Sequence, residues 1–161
     1  MKELILVRHA KSSWDYDADD ADRPLKERGI SDAHRVAAAV ATRLPEVQAV
    51  FSSPANRALH TCMILMRELG IPLERLRVQR ELYDFSGTSV RDFVHGLDQG
   101  LNRVMVFGHN HAMTYIANTW GDKTVDNVPT SGLVYLDLQA DAWKAVSSGK
   151  TRMLVFPAQL R

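Results

Sequence analysis

The apolar run at residues 4–7 is unbroken and lies between charged residues. A run of that kind predicts a strand covered on both faces, as in a parallel sheet. Residues 47–51 and 104–107 have the same character, and Gly108 ends the latter. Residues 76–78 predict a short strand. Residues 134–138 and 153–156 predict two late strands, paired as a hairpin around Ser147-Ser148-Gly149. Between these runs the period changes. Ile30, Ala33, Val36, Ala37, Val40 and Leu44 recur at helical spacing, which predicts a helix over 26–44 stopped by Pro45. Pro54 suits the first turn of a second helix. Its inner face would be Ala58, Cys62, Leu65, Met66 and Leu69, with Gly70 as its end cap. Residues 90–97 and 112–120 predict two more helices. Residues 9–24 show no period, are rich in Asp and read as a loop.

Strand and helix alternate through most of the chain, which favours an α/β sandwich around a mostly parallel sheet. A length of 161 residues suits one domain, and no repeat, low-complexity tract or linker divides it. Residues 1–161 are therefore expected to form a single domain. The formal net charge of +1 argues against a general nucleic-acid binder, which would carry a basic excess. The single cysteine, Cys62, allows no internal disulfide and fits a reducing compartment. The first apolar run is too short for a signal-peptide core, and no stretch is long enough to span a bilayer. A cytoplasmic protein with no nucleic-acid or membrane partner is expected. No oligomeric state is legible.

In open α/β sheets ligands bind beyond the carboxyl ends of the strands. Arg8-His9 follows the first predicted strand. Ser52-Ser53-Pro54 follows the second, with Arg57 one helical turn on. Gly108-His109-Asn110-His111 follows the third strong run. If these strands are parallel neighbours, two arginines and two histidines meet at one place. Arginine offers a rigid fork of donors suited to phosphate oxygens. A neutral histidine can attack phosphorus, and positive charge on the peripheral oxygens supplies most of the catalysis without a metal.

Other residues carry two readings each. Ser52 and Ser53 suit a turn or cap, and either hydroxyl could approach a bound anion. Asn110 could line a pocket or cap the following helix. His109 and His111 form a His-x-His pattern, but further metal ligands are not evident, so no metal and no cofactor are expected. Asp15, Asp17, Asp19, Asp20 and Asp22 read as a solvated acidic loop, with a weak cation site or partner contact as the alternative. Lys11 could extend a positive field. Trp14 and Tyr83 could wall a pocket or serve the core. Thr130 and Ser131 lie in a turn signal.

The string LVRHAKSSW at 6–14 resembles the signature of the histidine phosphatase superfamily, the phosphoglycerate mutase-like fold. DRPLKERG at 22–29, SSPANRALHT at 52–61 and FGHNHAMT at 107–114 resemble that family's later blocks, in order. The details around Ser12-Ser13-Trp14 and Asp22-Arg23-Pro24-Leu25 are most similar to its SixA-type phosphohistidine phosphatase branch. Ala10 stands where the wider family often has glycine.

The resemblance implies a three-layer α/β/α sandwich without a large cap insertion. It implies a nucleophilic His9 that carries the phosphoryl group. Arg8 and Arg57 would grip the phosphoryl oxygens and His109 would donate to them. Glu81 matches loosely the position of a general acid in larger relatives, a role that needs a raised pKa which the neighbouring arginines oppose. Ser52, Asn110 and Lys11 complete the expected substrate contacts. The expected substrate is a phosphohistidine-bearing protein. A phosphatase for a small sugar or nucleotide phosphate, and a non-catalytic phosphate-binding module, are the alternatives.

Overall fold

Alternate residues of the first strand, β1 (Glu3–Arg8), enter two separate apolar cores: Leu4 and Leu6 join one, Ile5 and Val7 the other. That division is what a pleated strand produces when both sheet faces are covered. The computed structural model describes residues 1–161. Along the chain β1 is followed by α1 (Glu27–Val40), β2 (Ala49–Ser52), α2 (Asn56–Leu69), β3 (Leu76–Val78) and α3 (Thr88–His95). Then come β4 (Arg103–Gly108), α4 (Ala112–Trp120), β5 (Leu133–Asp137) and β6 (Lys150–Val155).

All six strands form one sheet in the order β3-β2-β4-β1-β5-β6. β3, β2, β4 and β1 are mutually parallel; β5 runs antiparallel to β1, and β6 antiparallel to β5. Val36, Ala37 and Val40 of α1 and Cys62, Leu65 and Met66 of α2 pack on one face with Ile5 and Val7. Val90 and Val94 of α3 and Met113, Ile116 and Trp120 of α4 pack on the other with Leu4 and Leu6. The expected three-layer α/β/α sandwich is therefore observed, and its sheet is mostly parallel.

The expected helix over 26–44 ends earlier, at Val40. The chain then makes a tight turn in which Arg43 and Leu44 both donate to the Val40 carbonyl, at 2.9 and 3.1 Å, ahead of Pro45. Gly70 does cap α2, in the left-handed region at φ 69°, and its N–H donates to the Arg67 and Met66 carbonyls. The β5–β6 pairing is antiparallel as expected, but β6 begins at Lys150 and the connection is no tight turn. It carries a short 3-10 turn, Trp143–Ala145, whose indole is buried in the α3/α4 core. Bringing that side chain under the sheet takes the extra residues.

The register sets the position of the site. β1 and β4 pair with Arg8 opposite Gly108, and β2 and β4 pair with Ser52 opposite Phe107. The three strands thus end level at one edge. β5 starts at that same edge, with Leu133 opposite Val7, so the turn before it lies beside the ends of β1 and β4. No helix is long and apolar enough to cross a membrane.

Candidate active site

His9 is the first residue beyond β1 and His109 the first beyond β4, so in-register pairing brings their rings to 5.2 Å, centroid to centroid. Arg57 reaches the same place from the first turn of α2. Arg8, His9, Lys11, Arg57, His109 and Asn110 all line one cavity of about 340 Å³. The convergence expected from the strand ends is present.

His9 is 7 % exposed, and its Nδ1 lies 2.7 Å from the Ala10 carbonyl oxygen. A carbonyl only accepts, so Nδ1 carries the proton and Nε2 keeps a lone pair. Burial pushes the imidazole pKa down, and the charges of Arg57, Arg8 and Arg23 add to this, to about 4. His9 is neutral at pH 7. Its backbone is tied on both sides. Its N–H donates to the Gly108 carbonyl at 3.0 Å, and Ser131 N–H donates to the Arg8 and His9 carbonyls, both at 3.1 Å. The next residue, Ala10, donates to Thr61 Oγ1 at 2.8 Å, and that hydroxyl donates to the Arg57 carbonyl at 2.7 Å. One side chain of α2 thus joins the His9 segment to the Arg57 turn.

Gly29 of α1 serves the same segment. A Cβ there would lie 2.3 Å from the Lys11 carbonyl oxygen. Only a hydrogen lets the helix approach so closely, and this holds the strap after His9 against α1.

His109 is 1 % exposed. Its Nε2 lies 2.8 Å from Ser53 Oγ, which also accepts the Ala55 N–H at 3.2 Å. Burial, then the charges of the His9 and Arg57 groups, push its pKa down to about 3. Its Nδ1 is buried without a partner, as are the Nε atoms of Arg8 and Arg57 and the hydroxyl of Ser131. Buried polar atoms are rarely left unpaired, and three of these four, on Arg8, Arg57 and His109, belong to residues that line the one pocket, where their donors suit an anion.

The acidic loop supplies a component the sequence reading did not find. Asp15, Asp17, Asp19 and Asp22 are exposed, as expected. Asp20 is exposed too, yet it lines the pocket. Arg57 Nη1 donates to its carbonyl oxygen at 2.6 Å and Arg57 Nη2 to its Oδ2 at 2.8 Å. Arg23 Nε donates to Oδ1 at 3.2 Å, and the Tyr83 hydroxyl donates to Oδ2. Burial works against the charged form, but the hydrogen bonds from Tyr83 and Arg57 outweigh it and hold the carboxyl at about 2. Arg23 is itself buried, donates to Ser12 Oγ at 2.8 Å and lies 3.5 Å from the centroid of the Trp14 ring. Arg23 was legible only as part of the 22–29 block, and nothing in the run of aspartates singles out Asp20.

Two expectations need correction. Ser52 is fully buried and donates to the Ser53 carbonyl at 2.9 Å; the serine that touches the site is Ser53. A strand alternates its side chains, so neighbouring serines cannot both face the pocket. Glu81 lies in a short 3-10 turn and faces a different cavity, among Phe51, Thr88, Ser89 and Phe93. The aromatic residues that follow it take its place at the site. Tyr83 and Phe85 rings lie 5.3 and 5.0 Å from the His109 ring. His111 is exposed and directly precedes α4, with its N–H on the Phe85 carbonyl, so His109 and His111 do not form a ligand pair in the pocket. Asn110 fulfils both of its readings. It lines the cavity, and its Oδ1 accepts the Thr114 N–H at 3.0 Å in the first turn of α4. Thr130 and Trp14 also line the cavity.

Residues 4–94 match the histidine phosphatase superfamily (branch 1). This chain belongs to that family. Its fold matches the protein histidine phosphatase SixA, solved with tungstate, at a TM-score of 0.84 over 99 % of both chains and 22 % identity. A putative phosphohistidine phosphatase SixA from Agrobacterium tumefaciens superposes at 0.80, with 24 % identity over 96 % of this chain and 97 % of the other. In sequence, a protein of Mycobacterium tuberculosis is 28 % identical over 160 residues, covering 93 % of this chain and 98 % of that protein. A 2,3-bisphosphoglycerate-dependent phosphoglycerate mutase of Azorhizobium caulinodans is 28 % identical over 97 residues, but only 47 % of the mutase is covered. As a histidine phosphatase the chain is a phosphohydrolase.

Proposed function

We propose that this histidine phosphatase hydrolyses phosphohistidine on a partner protein, through a phosphohistidine formed on its own His9. The observation that carries the reading is the state of His9. The ring is neutral, its Nδ1 proton is held by the Ala10 carbonyl, and Nε2 is available in a pocket lined by Arg8 and Arg57.

The His9 Nε2 lone pair attacks phosphorus while the substrate's P–N bond breaks in line. Arg8 and Arg57 neutralise the peripheral oxygens. When the Ser53 hydroxyl donates to His109 Nε2, the ring proton resides on Nδ1 and donates to a phosphoryl oxygen. A substrate imidazole protonated on its second nitrogen leaves as neutral imidazole and takes no proton from the enzyme. That suits a site in which Glu81 faces another cavity. Water then attacks the phosphorus of phospho-His9. The N–P bond breaks, His9 recovers its neutral ring, and phosphate leaves with the proton balance. The likeness to SixA, which is described as a protein histidine phosphatase, supports a protein substrate.

The test is a panel in excess EDTA comparing a phosphohistidine-bearing protein with p-nitrophenyl phosphate and common sugar and nucleotide phosphates. The phosphohistidine protein is expected to have the highest kcat/KM. Transient acid-labile, alkali-stable label is expected on the wild type and none on His9→Ala. Turnover by His9→Ala would overturn the mechanism. Preference for a monoester would overturn the substrate.

A further inference from the structure

The phosphoryl cradle already contains one anion, the carboxylate of Asp20. Its Oδ2 takes the Arg57 Nη2 donor at 2.8 Å, and its Oδ1 takes the Arg23 Nε donor at 3.2 Å. Both arginines line the pocket with His9. Arg57 is 2 % exposed, and the other partner of its guanidinium is the Asp20 backbone carbonyl, at 2.6 Å from Nη1. In the mechanism proposed above Arg57 grips the phosphoryl oxygens, and Asp20 occupies one of its two terminal nitrogens, Nη2.

We infer that Asp20 is an internal competitor of the phosphoryl group, a positioning residue that acts through Arg57 to hold the affinity for phosphate down. The inference rests on the reading of the pocket as a phosphoryl site.

Two features separate this role from that of an ordinary structural ion pair. The first is the divided attachment of Arg57. The backbone carbonyl of residue 20 fixes Nη1, so the guanidinium keeps its place when the carboxylate is withdrawn from Nη2. The second is the carboxylate's own freedom. Its side chain is 42 % exposed while that of Arg57 is 2 % exposed. The anion can turn out toward solvent; the cation cannot follow. The Tyr83 hydroxyl on Oδ2 supplies a return point beside the pocket.

The charge argument has one sign for either behaviour of Asp20. If it stays, its negative charge opposes a phosphate dianion a few ångströms away. If it swings out, its bonds to Arg57 and Arg23 must first be broken. Both weaken phosphate binding. Phosphate is the product of every turnover, so the competitor speeds its departure. In the unliganded protein the same carboxylate keeps Arg57 and Arg23 from repelling one another across the pocket.

The experiment measures inorganic phosphate binding by calorimetry, and its inhibition constant in turnover, for wild type, Asp20→Asn and Asp20→Ala. Both variants are expected to bind phosphate about tenfold tighter, roughly 1.4 kcal/mol. They should also show a correspondingly lower inhibition constant. Damage to the cradle weakens binding, so tightening is not a consequence of disorder. Unchanged or weaker binding by both folded variants would overturn the role of Asp20 and leave the phosphatase reading standing. Failure of the wild type and both folded variants to bind phosphate would overturn both. If Asp20→Ala unfolds, Asp20→Asn, which is nearly isosteric and keeps an acceptor for Arg23, decides the matter alone.

Discussion

The His9 ring hydrogen-bonds the carbonyl of its own neighbour, Ala10, through Nδ1 at 2.7 Å, and Ala10 in turn hangs by its N–H from Thr61 of α2. The ring is therefore oriented by backbone rather than by a carboxylate. A carboxylate partner would raise the imidazole pKa, and a carbonyl does so far less. Burial and the surrounding arginines prevail, and the ring stays neutral.

This has a consequence for pH. An unfolded histidine titrates near 6.5, whereas in the folded protein His9 titrates at about 4 and His109 at about 3. Between those values the unfolded chain binds more protons, so stability rises with pH. The contribution is complete above pH 6.5 and is lost as pH falls through 4. The melting temperature should fall between pH 6.5 and pH 4, less steeply in His109→Asn. An NMR titration should find His9 neutral down to about pH 4; a midpoint near 6.5 would contradict the described environment.

The two adjacent serines separate cleanly. Ser53→Ala removes the hydroxyl 2.8 Å from His109 Nε2 and frees the ring's tautomer, so kcat should fall about tenfold with little change in KM. Ser52→Ala removes only a bond to a neighbouring carbonyl, and Glu81→Gln changes a residue of another cavity. Both should keep kcat within about twofold. A large loss in Glu81→Gln, with a lost alkaline limb in the pH profile of kcat/KM, would restore Glu81 as the acid.

Gly29→Ala is expected to reduce both stability and activity. The added methyl would press on the Lys11 carbonyl at 2.3 Å, and overpacking of this kind costs about 2 kcal/mol. Because Lys11 belongs to the strap that carries His9, kcat should drop along with the melting temperature. A stable variant with full activity would show that the strap yields without moving His9.

Much of this was legible along the chain. Short apolar runs lie between helical periods, and each such run became a strand of the sheet. Arg8, His9, Arg57 and His109 were found because they sit at strand ends, where a parallel sheet collects ligands whatever the fold's details. Asp20 was hidden for the opposite reason. One aspartate among five in eight residues has no periodicity to mark it, and its partners, Arg57 and Tyr83, lie 37 and 63 residues away. Ser52 and Ser53 could not be told apart along the chain, because which of two adjacent hydroxyls meets His109 depends on where β2 ends and on the placement of β4.

Local chemistry determined the alternation of elements, the covered strands and the residue types available at each strand end, since period, capping and turn signals act over a few residues. Only the tertiary structure decided that β1 and β4 are in-register neighbours, that Glu81 turns toward another cavity, and that one aspartate of a solvated loop lines the pocket of His9 and Arg57. Those outcomes depend on contacts between distant segments, whose energy exists only once the chain has closed on itself.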